Sequence, residues 1–209
     1  GIRIKVISEK EEAYYTYLSV ARDTLCLFAA EFFVIDIGGG STEVMKGSRG
    51  GLEASVSLPF GSVKLTEMFI SHDPPIPSEL EALQRFLESS VSLPFRSLQL
   101  PVFGTAGTVT TLGALASGLK DFNSKTLHGL PVEAEDVEGW IRRLSTLALK
   151  DRLLIPGMAP GRADVILQGL MLLKEILSGM GVRRLTVSTK GVRFGLIYEL
   201  ARNQSEKGL

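Results

Sequence analysis

One stretch limits the folds open to this chain more than any other. An apolar run, Phe32-Phe33-Val34-Ile35, delivers Asp36 to a triple glycine, Gly38-Gly39-Gly40, and the chain leaves through Ser41-Thr42-Glu43. A short apolar run that stops at glycines reads as a buried strand. Ser41 to Lys46 and Leu52 to Leu58 read as the next two strands, with Gly47, Gly50 and Gly51 supplying the turn between them. A three-stranded meander over about 32–58 follows. Glycines admit tight turns and let a ligand lie against the backbone. Their N–H groups can form an anion-binding nest, to which Ser41 and Thr42 add hydroxyls. Asp36 and Glu43 would repel a bare phosphate. They suit a site in which a divalent cation or an activated water lies between them and the phosphate. Without those two acids, a glycine-rich hairpin with no ligand is the alternative reading.

The rest of the chain builds outward from this meander. Residues 2–7 alternate and predict a strand, and 9–21 predict a helix with Ala13, Tyr17 and Val20 on one face. Gly61 to Ile70 reads as a helix. After the proline-rich break at 72–77, Ser78 and Glu81 have capping-box spacing ahead of Leu80, Leu83 and Leu87. Leu100 to Phe103 predicts a strand and Thr108 to Leu119 a helix. Val137, Trp140, Ile141 and Leu144 mark an amphipathic helix. Residues 162–178 are apolar on nearly every side and predict a buried helix. Arg184 to Ser188 predicts a last strand, 192–202 a last helix, and 204–209 a frayed tail. A meander followed by alternating strands and helices predicts an α/β fold: a mixed sheet with flanking helices. A second glycine turn, Gly104-Thr105-Ala106-Gly107-Thr108, joins a predicted strand to a predicted helix, where backbone amides favour anions. An ordinary capped strand-to-helix turn explains it equally well.

Bulk properties exclude more than they assign. The 209 residues suffice for one large domain or two small ones. Lys plus Arg and Asp plus Glu both number 23, and this balance argues against a duplex nucleic-acid binder. The single cysteine, Cys26, sits in an apolar run and cannot form an internal disulfide. No run is apolar enough to span a membrane and no signal peptide is visible, so a cytoplasmic setting is expected. Two distant histidines, His72 and His128, give no transition-metal cluster. Arg162 and Arg193 could reach phosphate, since the guanidinium fork matches phosphate oxygens. A cap or a surface ion pair is the equal alternative for each. A strand predicted at once after Gly1 suggests that the sequence is a fragment of a longer chain.

Taken together, several segments resemble one family. Val34-Ile35-Asp36-Ile37-Gly38-Gly39-Gly40-Ser41-Thr42-Glu43 resembles the second phosphate motif of the exopolyphosphatase and guanosine pentaphosphate phosphohydrolase (Ppx/GppA) family, within the superfamily of actin, sugar kinases and chaperone ATPases. Ile7-Ser8 with Glu11-Glu12-Ala13, Leu58 to Val63, Gly104 to Thr108, Pro156-Gly157-Met158 with Arg162 to Ile166 and Gly169, and Val192 to Leu196 resemble further family segments, in the expected order.

The resemblance implies an actin-like (ribonuclease H-like) domain. It divides the chain into 1–30, the tail of a first actin-like domain with its crossover helix, and 31–209, the second domain. It implies hydrolysis of a phosphoanhydride in polyphosphate or guanosine pentaphosphate. Glu12 would be the general base, Asp36 and Glu43 the carboxylates facing Mg2+, and Gly38, Gly39, Gly40, Ser41 and Thr42 the phosphate cradle. Gly104, Thr105, Gly107, Thr108, Arg162 and Arg193 would add phosphate contacts. The implied partners are the polyphosphate or guanosine polyphosphate and an N-terminal actin-like domain, with a homodimer through 162–178 a further option. Three features depart from the family pattern: no Asp-x-Gly-Ser-Asn-Ser phosphate loop, Glu9-Lys10 in place of a glycine-containing turn, and Tyr14 where Arg is common. The alternatives are a non-catalytic ppGpp-binding fragment, an ATP-dependent superfamily member, or a filament protein.

Overall fold

The computed structural model describes residues 4, 6–97, 99–119 and 123–207. In chain order the elements are α1 (Glu9–Ala21), β1 (Phe32–Ile37), β2 (Thr42–Ser48), β3 (Gly51–Leu58), α2 (Ser62–Phe69), α3 (Pro77–Ser90), β4 (Val102–Thr105) and α4 (Ala106–Ser117). They continue with α5 (Ser124–Leu127), β5 (Pro131–Glu133), α6 (Ala134–Leu144), α7 (Leu149–Arg152), α8 (Ile166–Met180), β6 (Arg184–Val187) and α9 (Val192–Lys207).

The strands form one mixed sheet in the order β3-β2-β1-β4-β6-β5. β1, β2 and β3 are the expected antiparallel meander, while β1, β4 and β6 run parallel. β5 adds an antiparallel edge. Alternation along β1 divides its side chains between two cores. Phe33, Ile35 and Ile37 face the larger core, built with α4 and α8. Phe32 and Val34 face a smaller core with Tyr17, Val20 and Ala21 of α1. The same alternation puts Asp36 on the α1 side of the sheet. Glu43 is its direct cross-strand partner.

α1 is tied down at both ends. Ser8 caps it in a reciprocal box with Glu11, whose carboxylate accepts from the Ser8 amide at 2.8 Å. Tyr17 donates to the Gly51 carbonyl at 2.8 Å and stacks on Phe32. α1 also packs along α9, where Gly195 allows the closest approach: a Cβ there would lie 1.7 Å from the Tyr15 carbonyl oxygen. Packing therefore runs unbroken across residue 30.

The structure corrects several expectations. Of the strand expected at 2–7, residues 1–3 and 5 lie outside the described residues, and Ile4, Val6 and Ile7 adopt no strand. Ile4 and Val6 are exposed, and a strand without a neighbour has no ladder to join. α3 begins at Pro77, and it is Glu79, not Glu81, that reaches back, accepting from the Ile76 and Ser71 amides at 3.1 and 2.8 Å. His72 Nδ1 lies 2.8 Å from the same carboxylate. The helix expected at 162–178 starts at Ile166, after a single 3-10 turn at Pro160–Arg162. Its apolar circumference is covered by α2, α3, α4 and α6 of the same chain, so no second copy is needed to bury it. The tail expected to fray at 204–207 is helical, and 208–209 lie outside the described residues. No helix of the described residues is long and apolar enough to cross a membrane.

Candidate functional site

The three parallel strands end on the same edge of the sheet, and that edge is where open α/β sheets bind ligands. β1 feeds the loop 38–41, β4 feeds the turn at 106–107, and β6 feeds 188–191. A cleft opens between these loops in two lobes that share Glu12 and Gly38. The smaller lobe, about 380 Å³, joins Glu12 and Asp36 to Thr105, Ala106 and Gly107, with Arg162, Thr189, Gly191 and Arg193 around them. The larger, about 720 Å³, runs over Gly38, Gly39, Gly40 and Ser41 to Ser57, Pro59 and Lys64, with Glu9 opposite.

The glycine loop is rigidly mounted. Gly38 N–H donates to the Ser41 carbonyl at 3.0 Å, closing the turn. The carbonyls of Gly38 and Gly39 point away from the loop and accept from Ser62, Val63 and Lys64 amides at 3.0–3.1 Å, so the loop sits on the first turn of α2. Gly61 makes this approach possible, since a Cβ there would lie 2.3 Å from the Gly38 carbonyl oxygen. With its carbonyls consumed in this way, the loop keeps the amides of Gly39, Gly40 and Ser41 without a backbone acceptor among the described residues. Three such amides bordering one lobe form a nest for an anion.

Of the acidic pair, Asp36 lines the smaller lobe, and Glu43 faces it across the strand pair from behind the cleft surface. Burial, then the facing Glu43, and Glu12 push the Asp36 carboxyl up to about 6, against the pull of the Thr16 hydroxyl. Burial also raises Glu43, which accepts from Ser57 Oγ at 3.1 Å. Like charges directly opposite on paired strands repel. Among the described residues no Lys or Arg forms an ion pair with either acid. Hard oxygen donors with uncompensated negative charge fit a divalent cation of the Mg2+ kind. Among the described residues no three acidic, His or Cys side chains close into a cage. Mg2+ suits such a site, because it takes one or two carboxylates and completes its shell with water and ligand phosphate oxygens.

The opposite wall carries the cations. Arg162 spreads its guanidinium over Gly107, where a Cβ would lie 2.3 Å from the guanidinium carbon. Neither Arg162 nor Arg193 has an ion-pair partner among the described residues. Ala106, in the same lobe, takes φ 65°, in the left-handed region that a side chain disfavours.

Most of the residues expected from the sequence do meet in the cleft: Glu12, Asp36, Gly38, Gly39, Gly40, Ser41, Thr105, Gly107, Arg162 and Arg193. Four others stand apart. Thr42 has the parity of Val44 and is buried toward the larger core. Thr108 is buried against Gly169 of α8. Gly104 is a packing glycine, hemmed in by Leu185 and Val109. Glu43 lies behind the cleft surface, in contact with Ser57. The Thr105 hydroxyl is already engaged, donating to the Lys190 carbonyl at 2.8 Å, which leaves its backbone to face a ligand.

Sequence reading missed the third wall, Thr189 to Gly191, and also Lys64. The signal for the first was a third strand-to-helix turn ending in glycine. Lys190 anchors this wall. Its Nζ lies 2.8 Å from the buried Asp23 carboxylate, and His128 Nε2 lies 3.1 Å from the same oxygen. Burial alone would raise Asp23; Lys190, the Leu25 amide and His128 outweigh it and hold the carboxyl below its ordinary range. His128 thus links Asp23 to the Thr189 amide, which reaches its Nδ1 at 3.3 Å.

Comparison with known proteins gives a consistent result. The profile of the Ppx/GppA phosphatase family matches residues 1–204. Exopolyphosphatase 2 of Mycobacterium tuberculosis is 32% identical over 96% of this chain and 65% of its own length. A bifunctional 3-dehydroquinate synthase/phosphatase of Fusobacterium nucleatum is 30% identical over 97% of this chain and 31% of its own. The crystal structure of the Aquifex aeolicus Ppx/GppA family member superposes with a TM-score of 0.88 at 30% identity, covering 97% of this chain and 66% of that one. The chain therefore spans just under two thirds of the mycobacterial and Aquifex proteins. Its fold is the actin-like α/β fold expected from the sequence.

Proposed function

The chain belongs to the Ppx/GppA phosphatase family, and from that premise we propose that it supplies the second phosphate loop, the acidic pair and the base of a phosphohydrolase acting on polyphosphate or guanosine pentaphosphate. One observation carries this reading. The glycine loop, Glu12, Asp36 and two arginines without ion-pair partners among the described residues border a cleft at the ends of three parallel strands. Relatives named as exopolyphosphatases support polyphosphate.

Phosphoryl transfer asks a protein mainly for positioning and charge neutralisation. The loop amides would hold a non-bridging oxygen pair. Arg162 and Arg193 would neutralise the phosphate facing the 105–107 turn. Glu12 is exposed at the junction of the lobes, where it can accept a proton from a water aimed at phosphorus. Asp36 and Glu43 would hold Mg2+, which when bound supplies charge neutralisation at the phosphate oxygens. In this reading residues 1–30 are the tail of a first actin-like domain and 31–209 the second, the site is completed by an upstream domain, and the setting is cytoplasmic.

The test joins this chain to an upstream actin-like domain of a relative. Phosphate release from polyphosphate and from guanosine pentaphosphate is then measured with and without Mg2+. Release from at least one substrate, dependent on Mg2+, is the expected result. Phosphate binding without release from either substrate would instead favour a non-catalytic ppGpp or phosphate-binding role.

A further inference from the structure

Behind the third wall, outside the lining of either lobe, lies a cluster that phosphate hydrolysis does not call for. Asp23 is buried, at 1% exposure, and its carboxylate faces Lys190 Nζ at 2.8 Å and His128 Nε2 at 3.1 Å. His128 follows α5 directly, and its other ring nitrogen, Nδ1, accepts from the Thr189 amide at 3.3 Å. A backbone amide can only donate, so this bond exists only while Nδ1 carries no proton. The proton of the neutral ring is then on Nε2, toward Asp23. A carboxylate at one ring nitrogen and a donor at the other select one tautomer.

What this tautomer holds is the wall itself. Thr189 and Gly191 line the smaller lobe, and α9 continues from them with Val192 and Arg193 in the same lining. The Lys190 carbonyl accepts from Thr105 Oγ1 at 2.8 Å and from Ser19 Oγ at 3.2 Å. Lys190 Nζ also donates to Tyr198 Oη of α9 at 3.1 Å. The segment 189–191 therefore joins the second wall, α1 and α9, and His128 fixes the amide at its start. His128 is absent from the described lining of both lobes, so it acts on the cleft through Thr189 rather than on a ligand.

The charged surroundings of His128 are few. Asp23 and Lys190 face it as a pair of opposite sign. Burial pushes the Cys26 thiol beside Asp23 up to about 12, so it stays neutral. α4, which packs against α5, has no titratable side chain. β6 contributes only Arg184, at its other end and paired with Glu133. Arg22 and Lys125 are exposed, and Arg193 lines the lobe. A second ring proton falls on Nδ1, the atom that the Thr189 amide needs, and sets a donor against a donor. We propose that His128 is a positioning residue whose neutral Nε2–H tautomer locks the Thr189–Gly191 wall, and that a proton on Nδ1 unlocks this wall and weakens the hold of the cleft on phosphate. The effect on binding rests on the phosphohydrolase reading; the lock does not.

Nitrogen NMR on the full 209-residue chain with isotope-labelled histidine tests the lock. At about pH 8, His128 should be the Nε2–H tautomer, with coupling between Nδ1 and the Thr189 amide nitrogen across their hydrogen bond. Acidifying to about pH 5 should abolish that coupling and move the Thr189 and Gly191 amide signals in step with the ring. Calorimetry with pyrophosphate and Mg2+ tests the effect on the cleft. His128→Ala should weaken pyrophosphate about 5-fold at the higher pH, and His128→Gln should restore most of that loss, because the Gln carbonyl accepts from Thr189 and gains no proton. On acidification wild type should lose about 5-fold against His128→Gln, a ratio in which the titration of pyrophosphate and of Asp36 cancels. Nδ1 carrying the proton at the higher pH, wall signals that ignore the ring, or a ratio that stays flat would overturn the proposal. Wild-type chain that binds no pyrophosphate would count against the parent reading, while the ring spectra would still decide the lock.

Discussion

Replacing Asp36 with Asn should stabilise the free protein at neutral pH while weakening its site. The carboxyl is driven from its ordinary 3.8 up to about 6 by burial and by Glu43 across the strand pair. A folded-state value above the unfolded one means that the native protein holds its proton more tightly. Below the unfolded value both states are protonated and no penalty exists. As pH rises toward 6, the unfolded chain ionises first and stability falls; above 6 the full penalty remains. The gap between 3.8 and about 6, at about 1.4 kcal/mol for each tenfold change in proton affinity, sets an upper bound of about 3 kcal/mol. Some solvent contact remains at this side chain, so a measured gain of about 1–2 kcal/mol is expected. Urea unfolding of wild type and Asp36→Asn at pH 4 and pH 8, with EDTA present, is the assay. The variant should be the more stable at pH 8, and the difference should shrink markedly at pH 4. Adding Mg2+ at pH 8 should stabilise wild type more than the variant, because only wild type keeps both carboxylates. A variant that is no more stable than wild type at pH 8, or equally favoured at both pH values, would refute the reasoning.

Other perturbations separate scaffold from site. Gly107→Ala places a Cβ 2.3 Å from the Arg162 guanidinium, the movable end of a flexible side chain; stability should change by less than about 1 kcal/mol, while pyrophosphate affinity falls about 10-fold as the fork is displaced. Gly195→Ala brings its Cβ to 1.7 Å from the Tyr15 carbonyl oxygen, which is backbone and cannot step aside, so urea unfolding should show a loss of about 2–3 kcal/mol. Asp23 is held below its ordinary range, so its contribution is present above the unfolded value and lost as pH falls through the folded one; Asp23→Asn should cost about 2–4 kcal/mol at pH 7, with the deficit closing only below the ordinary carboxylate range in acid titrations followed by circular dichroism. In the chain joined to an upstream domain, Glu12→Gln should lower turnover at least about 100-fold with little change in polyphosphate affinity; unchanged turnover would remove Glu12 from the chemistry.

Legibility in the sequence followed the range of the interactions involved. The meander was readable because Phe32 to Ile37 and the glycines after it carry their signal locally. Helix α1 was readable from Ala13, Tyr17 and Val20, and α6 from Val137 to Leu144. β5, from Pro131 to Glu133, was not, because its pairing with β6 is a nonlocal fact and its sequence lacks a strand-like run. The acidic pair was visible as residues, while its geometry needed the Asp36–Glu43 register. Thr42 and Thr108 show the converse. Both stand in phosphate-like motifs, yet strand parity and the approach of α8 turn their hydroxyls inward. Lys190 carried no local signal at all. Its role depends on Asp23, which lies far away along the chain and meets it through the packing of α1 against α9.

The misfits between this sequence and its own fold gather at one edge of the sheet. Among the described residues, Asp36 and Glu43 face each other with no Lys or Arg paired to either, and three loop amides have no backbone acceptor. Ala106 takes a left-handed conformation, and Arg162 and Arg193 stand without ion-pair partners among the described residues. Each of these is unfavourable in the free chain, and natural sequences concentrate such conflicts where function requires them. A phosphate oxygen, a divalent cation and a water would relieve all of them together. The neighbouring Lys190–Asp23–His128 network is by contrast fully engaged. One wall of the cleft is therefore fixed by internal contacts, while the other two keep their hydrogen-bonding and charge capacity for a ligand. It follows that saturating pyrophosphate with Mg2+ should slow amide hydrogen exchange most at Gly39, Gly40, Ser41 and Gly107, and least at Thr189 to Gly191. Uniform protection across all three loops would mean that binding tightens the whole domain, and that these free amides are not where the ligand sits.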